Sequence, residues 1–469
     1  MSKIKFGTDG WRAIIAQDFT VENVARVTEA TAKWLLKNNP DKLSVVVGHD
    51  CRFAGELFAE TTAKVFLANG IKVFLAKDFV STPMISLGTV KLKAALGIII
   101  TASHNPPSYN GYKIKAHYGG PMAPEFVQEI EDIIPDKANS DYNQINFSDS
   151  QKSVLLQIIS LEDMYVKHVN ENFDLNAIKN SKMNLAYDSM YGAGQKVMKR
   201  LFPDIYHLHS DENPGFHGQA PEPIHKNLTE FSNFIKNSKN ISCGLATDGD
   251  ADRIGLYDHE GNFVDSHHII LLLIHYLVKY KKQGGKVATA FSTSVKIKNM
   301  CEHYGLKLEV CKIGFKYICG IMVKEDVLLG GEESGGIAIK GHIPERDGIW
   351  MGLTIWEFMA KTGKSLKELI AEVYAITGTF WFERNDLHID EAIKNKVLQN
   401  CKANLYKEFG KYKVKRMDDL DGWKFFIDEN TWLMIRASGT EPVLRTYAEA
   451  SDKETAFDIL ASAKKVLLD

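Results

Sequence analysis

The sequence predicts an α/β protein: three similar α/β sheet domains plus a smaller C-terminal α+β domain, set around a central cleft. Three observations lead there. Short apolar strands alternate with helical segments, which indicates mainly parallel pairing. The same strand pattern occurs three times, and each third strand runs into a loop rich in polar groups. From about Thr379 the alternation gives way to short strands between two helical stretches.

Taken in order, the first strands of the three units are Leu43–Gly48, Asn184–Tyr187 and Lys286–Phe291, ending at His49-Asp50, Asp188 and Ser292. A helix and a second strand follow in each: Ile71–Ala76, Ile205–Leu208 and Leu306–Cys311. The third strands are Ala95–Ile100, Cys243–Ala246 and Val327–Leu329. They are short apolar runs that read as buried strands. The polar stretch Pro135–Ser150 is the expected linker. The divisions expected are 1–150, 151–258, 259–378 and 379–469. In the last, a strand Phe380–Arg384 leads to a helix Asp390–Phe409. Strands Trp423–Ile427, Thr431–Arg436 and Val443–Ala448 and a closing helix from Asp452 complete it.

Composition narrows the function. The 469 residues suffice for about three or four domains. Hydrophobic content of 45% and charged content of 25% are those of a soluble globular protein. Lys+Arg 57 against Asp+Glu 59 leaves a net charge of −2, which argues against a nucleic-acid or membrane-surface role. Any anion site must therefore be local. The six cysteines (51, 243, 301, 311, 319 and 401) lack zinc spacing and read as reduced thiols filling cores. The N-terminus lacks the apolar run of a signal peptide. The most apolar stretch, Ile269–Leu273, is bracketed by His267, His268 and His275 and reads as a buried helix, not a bilayer span. The expectation is a cytoplasmic protein, monomeric or homodimeric.

The loops carry the chemistry. Thr101-Ala102-Ser103-His104-Asn105-Pro106 follows the strand Leu96–Ile100. It puts a hydroxyl and an imidazole where ligands bind in open α/β sheets. A serine there can be a nucleophile or a phosphoryl carrier. Asp248-Gly249-Asp250-Ala251-Asp252-Arg253 follows the next third strand. Its alternate carboxylates can converge on a hard cation, and oxygen ligands suit Mg²⁺. A solvated acidic turn is the other reading. An EF-hand is excluded, because Arg253 and His259 stand where that loop needs a glycine and a glutamate. Gly330-Gly331-Glu332-Glu333-Ser334-Gly335-Gly336 lets backbone approach a ligand, with a carboxylate and a hydroxyl to grip sugar hydroxyls. A flexible acidic turn is the alternative. Arg436-Ala437-Ser438-Gly439-Thr440-Glu441-Pro442 offers forked donors, hydroxyls and backbone to a phosphate, or is a polar hairpin turn.

Ser103 with its neighbours, and the following Asn110-Gly111-Tyr112-Lys113, resemble the active-site serine loop of the α-D-phosphohexomutases, of the phosphoglucomutase/phosphomannomutase type. The other loops resemble that family's motifs D-G-D-x-D-R, G-E-x-S-G and R-x-S-G-T-E-P, in its order. Phe6-Gly7-Thr8-Asp9-Gly10-Trp11-Arg12 resembles its opening motif. Pro221-Glu222-Pro223 matches a further pattern, read as structural. The resemblance implies an enzyme that interconverts hexose 1-phosphate and hexose 6-phosphate, with glucose ahead of mannose. It implies a phosphoserine at Ser103 and a hexose 1,6-bisphosphate intermediate. Ser103, Asp248, Asp250 and Asp252 then hold Mg²⁺; His104, Lys113, Arg12 and Arg253 serve the reacting phosphate, with Lys113 as acid/base. Glu332 and Ser334 contact the sugar, while Arg436, Ser438, Gly439 and Thr440 hold the other phosphate. Glu332-Glu333-Ser334-Gly335 and Lys312-Ile313-Gly314-Phe315-Lys316 look like glucose-preferring members. The alternatives are a phosphoglucosamine mutase, a metal-dependent sugar phosphatase and a silent sugar-phosphate binding protein.

Overall fold

A computed structural model describes residues 4–7, 9–437 and 443–468. The first three units share one sheet plan. In the first, Ser44–His49 lies between Lys72–Ala76 and Leu96–Ile100, parallel to both. In the second, Leu185–Asp188 lies likewise between Tyr206–Leu208 and Cys243–Thr247. In the third, Lys286–Ala290 lies between Leu308–Cys311 and Val327–Gly331. Each third strand then turns back as an antiparallel fourth: Tyr109–Ala116, Ile254–Tyr257 and Ile337–Ile339. Every chemically loaded loop of these three units is this third-to-fourth connection, so the threefold pattern read from the sequence is a real repeat. Sequence pattern explains the burial. Val45, Val47, Ile98 and Ile100 point to one face of the first sheet, and Val46 and Ile99 to the other. Both faces are covered, so the strands are apolar throughout rather than alternating.

The first unit extends further than expected. Leu156–Ile159 pairs in parallel with Lys72–Ala76 as an edge strand of the same sheet. The division expected after residue 150 therefore falls inside that sheet. The polar stretch 135–150 is a surface excursion, with a short turn at Tyr142–Gln144 and a helix at Phe147–Lys152 that bury no residue. Its composition reports exposure, and the chain returns to the same sheet.

Helices Thr82–Lys91, Leu161–Asn172, Ser266–His275 and Gly348–Thr362 carry one continuous hydrophobic core across the three units, from Val46 to Phe380. The Ile269–Leu273 run is buried inside the third of these, whose cap Asp265 accepts the His268 N–H at 3.0 Å. No helix among the described residues is long and apolar enough to cross a membrane.

The C-terminal unit is an antiparallel sheet of Trp381–His388, Val443–Ala450, Trp432–Ala437, Trp423–Phe426 and Arg416–Asp418, with helices Glu391–Lys402 and Lys453–Leu468. The first helix is shorter than expected. It stops at Lys402, Asn404 takes a left-handed φ of 51°, and Glu408–Phe409 pairs with Tyr412–Lys413. Asparagine tolerates that conformation and ends helices. This unit has its own core, built on Val397, Phe425, Leu433 and Ile459.

Candidate active site

The strand Leu96–Ile100 ends inside the protein, and the loop that leaves it is held by one guanidinium. Arg52, buried and 3.4 Å from Asp50, donates to the carbonyls of Ser103 and Asn105 (2.6 Å each), Pro106 (2.9 Å) and Tyr109 (3.0 Å). Thr101 donates to Asp50 at 2.5 Å and accepts the Ser103 N–H at 2.9 Å. Thus pinned, Ser103 adopts a left-handed φ of 51°, unusual for a residue with a Cβ. Its hydroxyl donates to Asp248 Oδ2 at 2.6 Å and lies 3.3 Å from His104 Nδ1. Burial, and then Arg253 and Arg12, push the His104 imidazole well below its ordinary pKa, so the ring is neutral. Its Nε2 lies 3.5 Å from Arg253 Nη2.

The acidic loop meets the serine loop directly. Gly249 is required there: a Cβ would come within 2.5 Å of the Ser103 carbonyl oxygen. Asp248 Oδ1 accepts the backbone N–H groups of Asp252 (2.9 Å) and Arg253 (3.0 Å), which curls the loop. All three aspartates are buried. Burial, and then repulsion from Asp250 and Asp252, raise the Asp248 carboxyl well above the ordinary range. Burial acts on Asp250 too, yet Lys113 at 2.7 Å and Thr82 at 2.5 Å hold its carboxyl below that range. Lys113 in turn is raised: burial opposes its charge, but Asp250, Asp252 and Asp9 outweigh burial.

The residues fit a hard divalent cation. One oxygen from each aspartate lies within 4.8 Å of the others. Asp250 Oδ1 and Asp252 Oδ1 are buried without a hydrogen-bond partner among the described residues. Buried anionic oxygens left unpaired are costly, and an ion held by oxygen ligands removes that cost.

The structure brings together Ser103, His104, Lys113, Arg12, Arg253 and the three aspartates. Arg12 donates to the Asn105 side chain at 2.8 Å, and Arg253 lies 3.4 Å from Glu222. It adds residues given no role by sequence reasoning. Asp9 lies 2.9 Å from Lys113, and Arg346 lies 2.6 Å from Asp9 and 2.7 Å from Asp252. Arg52 and Thr82 are further examples. Asp9 stands in the opening motif and Arg52 just after a first strand, so position was a signal for both. Arg346 and Thr82 gave none, since each becomes notable only through a partner far away in the chain.

On the third unit, Glu332 Oε1 accepts the Gly314 N–H at 3.0 Å, and Ser334 sits in the turn between Val327–Gly331 and Ile337–Ile339. Burial above all, against Arg346 and with Glu333, raises the Glu332 carboxyl to about 7. Arg436, on the strand Trp432–Ala437, lies 3.2 Å from Asp421, which accepts the Ile313 N–H at 2.8 Å. The Ile313-Gly314 backbone therefore joins the Glu332 loop to the Arg436 strand. Ser438, Gly439 and Thr440 lie outside the described residues.

Comparison with known proteins agrees along the chain. Residues 3–141, 163–261 and 265–376 match the alpha/beta/alpha domains I, II and III of phosphoglucomutase/phosphomannomutase, and 388–465 match its C-terminal domain. A Thermococcus kodakarensis protein named phosphoglucomutase/phosphomannomutase is 28% identical, covering 98% of each chain. A phosphoglucosamine mutase from Methanococcus maripaludis is 32% identical, over 88% of this chain and 89% of its own. A solved structure from Thermus thermophilus, described as a candidate phosphomannomutase, superposes with a TM-score of 0.88 at 33% identity over 100% of both chains.

Proposed function

The chain belongs to the phosphoglucomutase/phosphomannomutase family, and we propose that it moves a phosphoryl group between positions 1 and 6 of a hexose through phospho-Ser103 and a hexose 1,6-bisphosphate. The observation that carries this is the Ser103 hydroxyl, buried and donating to Asp248 at 2.6 Å beside a charged Lys113. With a free hydroxyl, this arrangement suits the half-reaction in which Ser103 receives the phosphoryl group. The phosphorus–oxygen bond to the sugar breaks and a bond to Ser103 Oγ forms. Asp248, which accepts that hydroxyl's hydrogen bond, takes the seryl proton; Lys113, held as an ammonium, gives one to the departing sugar oxygen. The other half-reaction reverses these transfers. Arg12, Arg253 and neutral His104 orient the phosphoryl oxygens. Asp248, Asp250, Asp252 and Ser103 would hold Mg²⁺, which when bound neutralises charge on the transferring group.

Glu332 and Ser334 grip the sugar, and Arg436, with Ser438, Gly439 and Thr440, holds the phosphate that is not reacting. Glucose is the first reading for the sugar, from the Glu332–Gly335 and Lys312–Lys316 sequences. Glucosamine is the second, favoured by the name of the Methanococcus relative. The test is turnover of glucose 1-phosphate, glucosamine 1-phosphate and mannose 1-phosphate with Mg²⁺ and a trace of the matching bisphosphate. A 6-phosphate product without free phosphate is expected, and the rates rank the sugars. Free phosphate alone would replace the mutase with a phosphatase, and no turnover with a binding protein.

A further inference from the structure

We propose that Arg346 is a positioning residue: it presents Asp252 to the cation and couples that carboxylate to the sugar loop. This rests on the reading that the three aspartates hold a divalent cation. Arg346 is 4% exposed and stands just before the helix Gly348–Thr362 in the third unit. Its Nη2 donates to Asp9 Oδ2 in the first unit at 2.6 Å and lies 2.7 Å from Asp252 Oδ2 in the second. One nitrogen thus gathers carboxylates from two other units. Lys113 lies 3.3 Å from the same Asp252 oxygen. With Oδ2 taken by two cations, Asp252 has its other oxygen, Oδ1, buried and unpartnered among the described residues. A carboxylate fixed through one oxygen leaves the second free, in a set orientation, for a metal.

The same side chain supports the sugar loop. A Cβ at Gly336 would lie 2.4 Å from Arg346 Cδ and 3.1 Å from its Cγ, so the loop backbone rests on the arginine stem. Gly336 also bridges to Arg253, and the Ile254 N–H donates to the Gly335 carbonyl at 3.1 Å. The Gly348 N–H donates to the Ala251 carbonyl at 3.0 Å. The glycines beside Glu332 and the exit of the acidic loop therefore form one body, with Arg346 threaded between them. A shift of the sugar loop moves Arg346, and with it Asp252.

The experiment is Mn²⁺ binding, followed by the loss of the free-ion electron paramagnetic resonance signal, on the full chain without sugar. Wild type, R346K, G336A and the control D250A are compared, with thermal melts to show that each is folded. R346K keeps the charge but ends short of the position from which Nη2 reaches both carboxylates. G336A leaves every ligand and charge in place and displaces only the flexible arginine stem, so it serves even where R346K does not fold. Both should bind Mn²⁺ about 10- to 100-fold more weakly than wild type, the loss typical of removing a group that orients a metal ligand. Binding at wild-type strength or tighter in R346K and G336A, with D250A impaired, would overturn the inference and leave Arg346 a mere counter-charge. Absence of Mn²⁺ binding in wild type, or D250A binding as wild type does, would remove the cation reading and this inference with it.

Discussion

Ser103 carries backbone strain: a φ of 51° on a non-glycine residue is held by the grip of Arg52 and Thr101 on the loop around it. Ser103→Ala removes the proposed phosphoryl carrier but not those grips, so turnover should vanish while the melting temperature stays within a few degrees. Mutase activity at the wild-type rate would refute the phosphoserine route. Glu332 gives a pH signature. Burial raises its carboxyl to about 7, with Arg346 and Arg253 opposing and Glu333 and Asp9 adding. In the proposed role, above that pH it is a carboxylate able to accept from sugar hydroxyls; below it, the added proton removes an acceptor. KM for the sugar phosphate should rise as pH falls through about 7, by about tenfold, the worth of a hydrogen bond to a charged group. Glu332→Gln should flatten that dependence. An unchanged profile in the variant would place the titrating group elsewhere, on the substrate phosphate first of all. These residues were legible because they sit in contiguous motifs; Arg346 was not, because its role is made by Asp9 and Asp252, which the chain alone leaves far apart.

The elements that carry the site are third strands and their returning fourth strands, and their rigidity decides how well the loops meet. Arg52 is the central brace, paired with Asp50 and bonded to four carbonyls. Arg52→Met should cost about 3–5 kcal/mol, because it leaves the buried Asp50 without its counter-charge and takes a charged donor away from four loop carbonyls. Urea unfolding reads that cost, and turnover should fall with it. Stability within about 0.5 kcal/mol of wild type, the range of an ordinary surface substitution, would show that the loop is held by other means. Gly249→Ala tests the contact between loops, since its Cβ would meet the Ser103 backbone at 2.5 Å. It should lower kcat more than it lowers stability. At this scale the sequence was most readable where burial covers both strand faces, as at Val45–Val47 and Ile98–Ile100. It was least readable at Leu156–Ile159, an edge strand half exposed after a polar excursion, and at Asn404, where a local left-handed turn overrides helical periodicity.

At the scale of the molecule one continuous core joins the first three units, and the fourth has its own. The third and fourth meet through a hydrophobic cluster of Phe291, Phe426, Trp432, Met434 and Tyr447, with Glu449 accepting from Ser294 (2.8 Å) and the Val295 N–H (3.2 Å), Lys296 donating to Asn430 (2.9 Å) and Asp421 accepting the Ile313 N–H (2.8 Å). The chain crosses between them at Gly378, whose φ of 73° suits a hinge-like glycine. Separate cores on the two sides of an inter-domain contact leave relative motion as the default. The proposed bisphosphate, presenting first one phosphate and then the other, would need water kept out but room kept in, which closure of the fourth unit would provide. Arg436, on that unit and paired with Asp421, is the residue proposed above to hold the distal phosphate. Small-angle scattering should therefore show the radius of gyration shrink when glucose 1-phosphate is added to wild type. Arg436→Ala should abolish that shrinkage and raise KM by about tenfold or more, the loss of one charge-assisted phosphate contact, while Mn²⁺ binding at the distant aspartates stays as in wild type. If wild type does not compact, closure is wrong and the cleft works open. If wild type compacts and Arg436→Ala compacts equally, closure stands but is driven from the Glu332 loop, with Ile313-Gly314 as the link to the fourth unit.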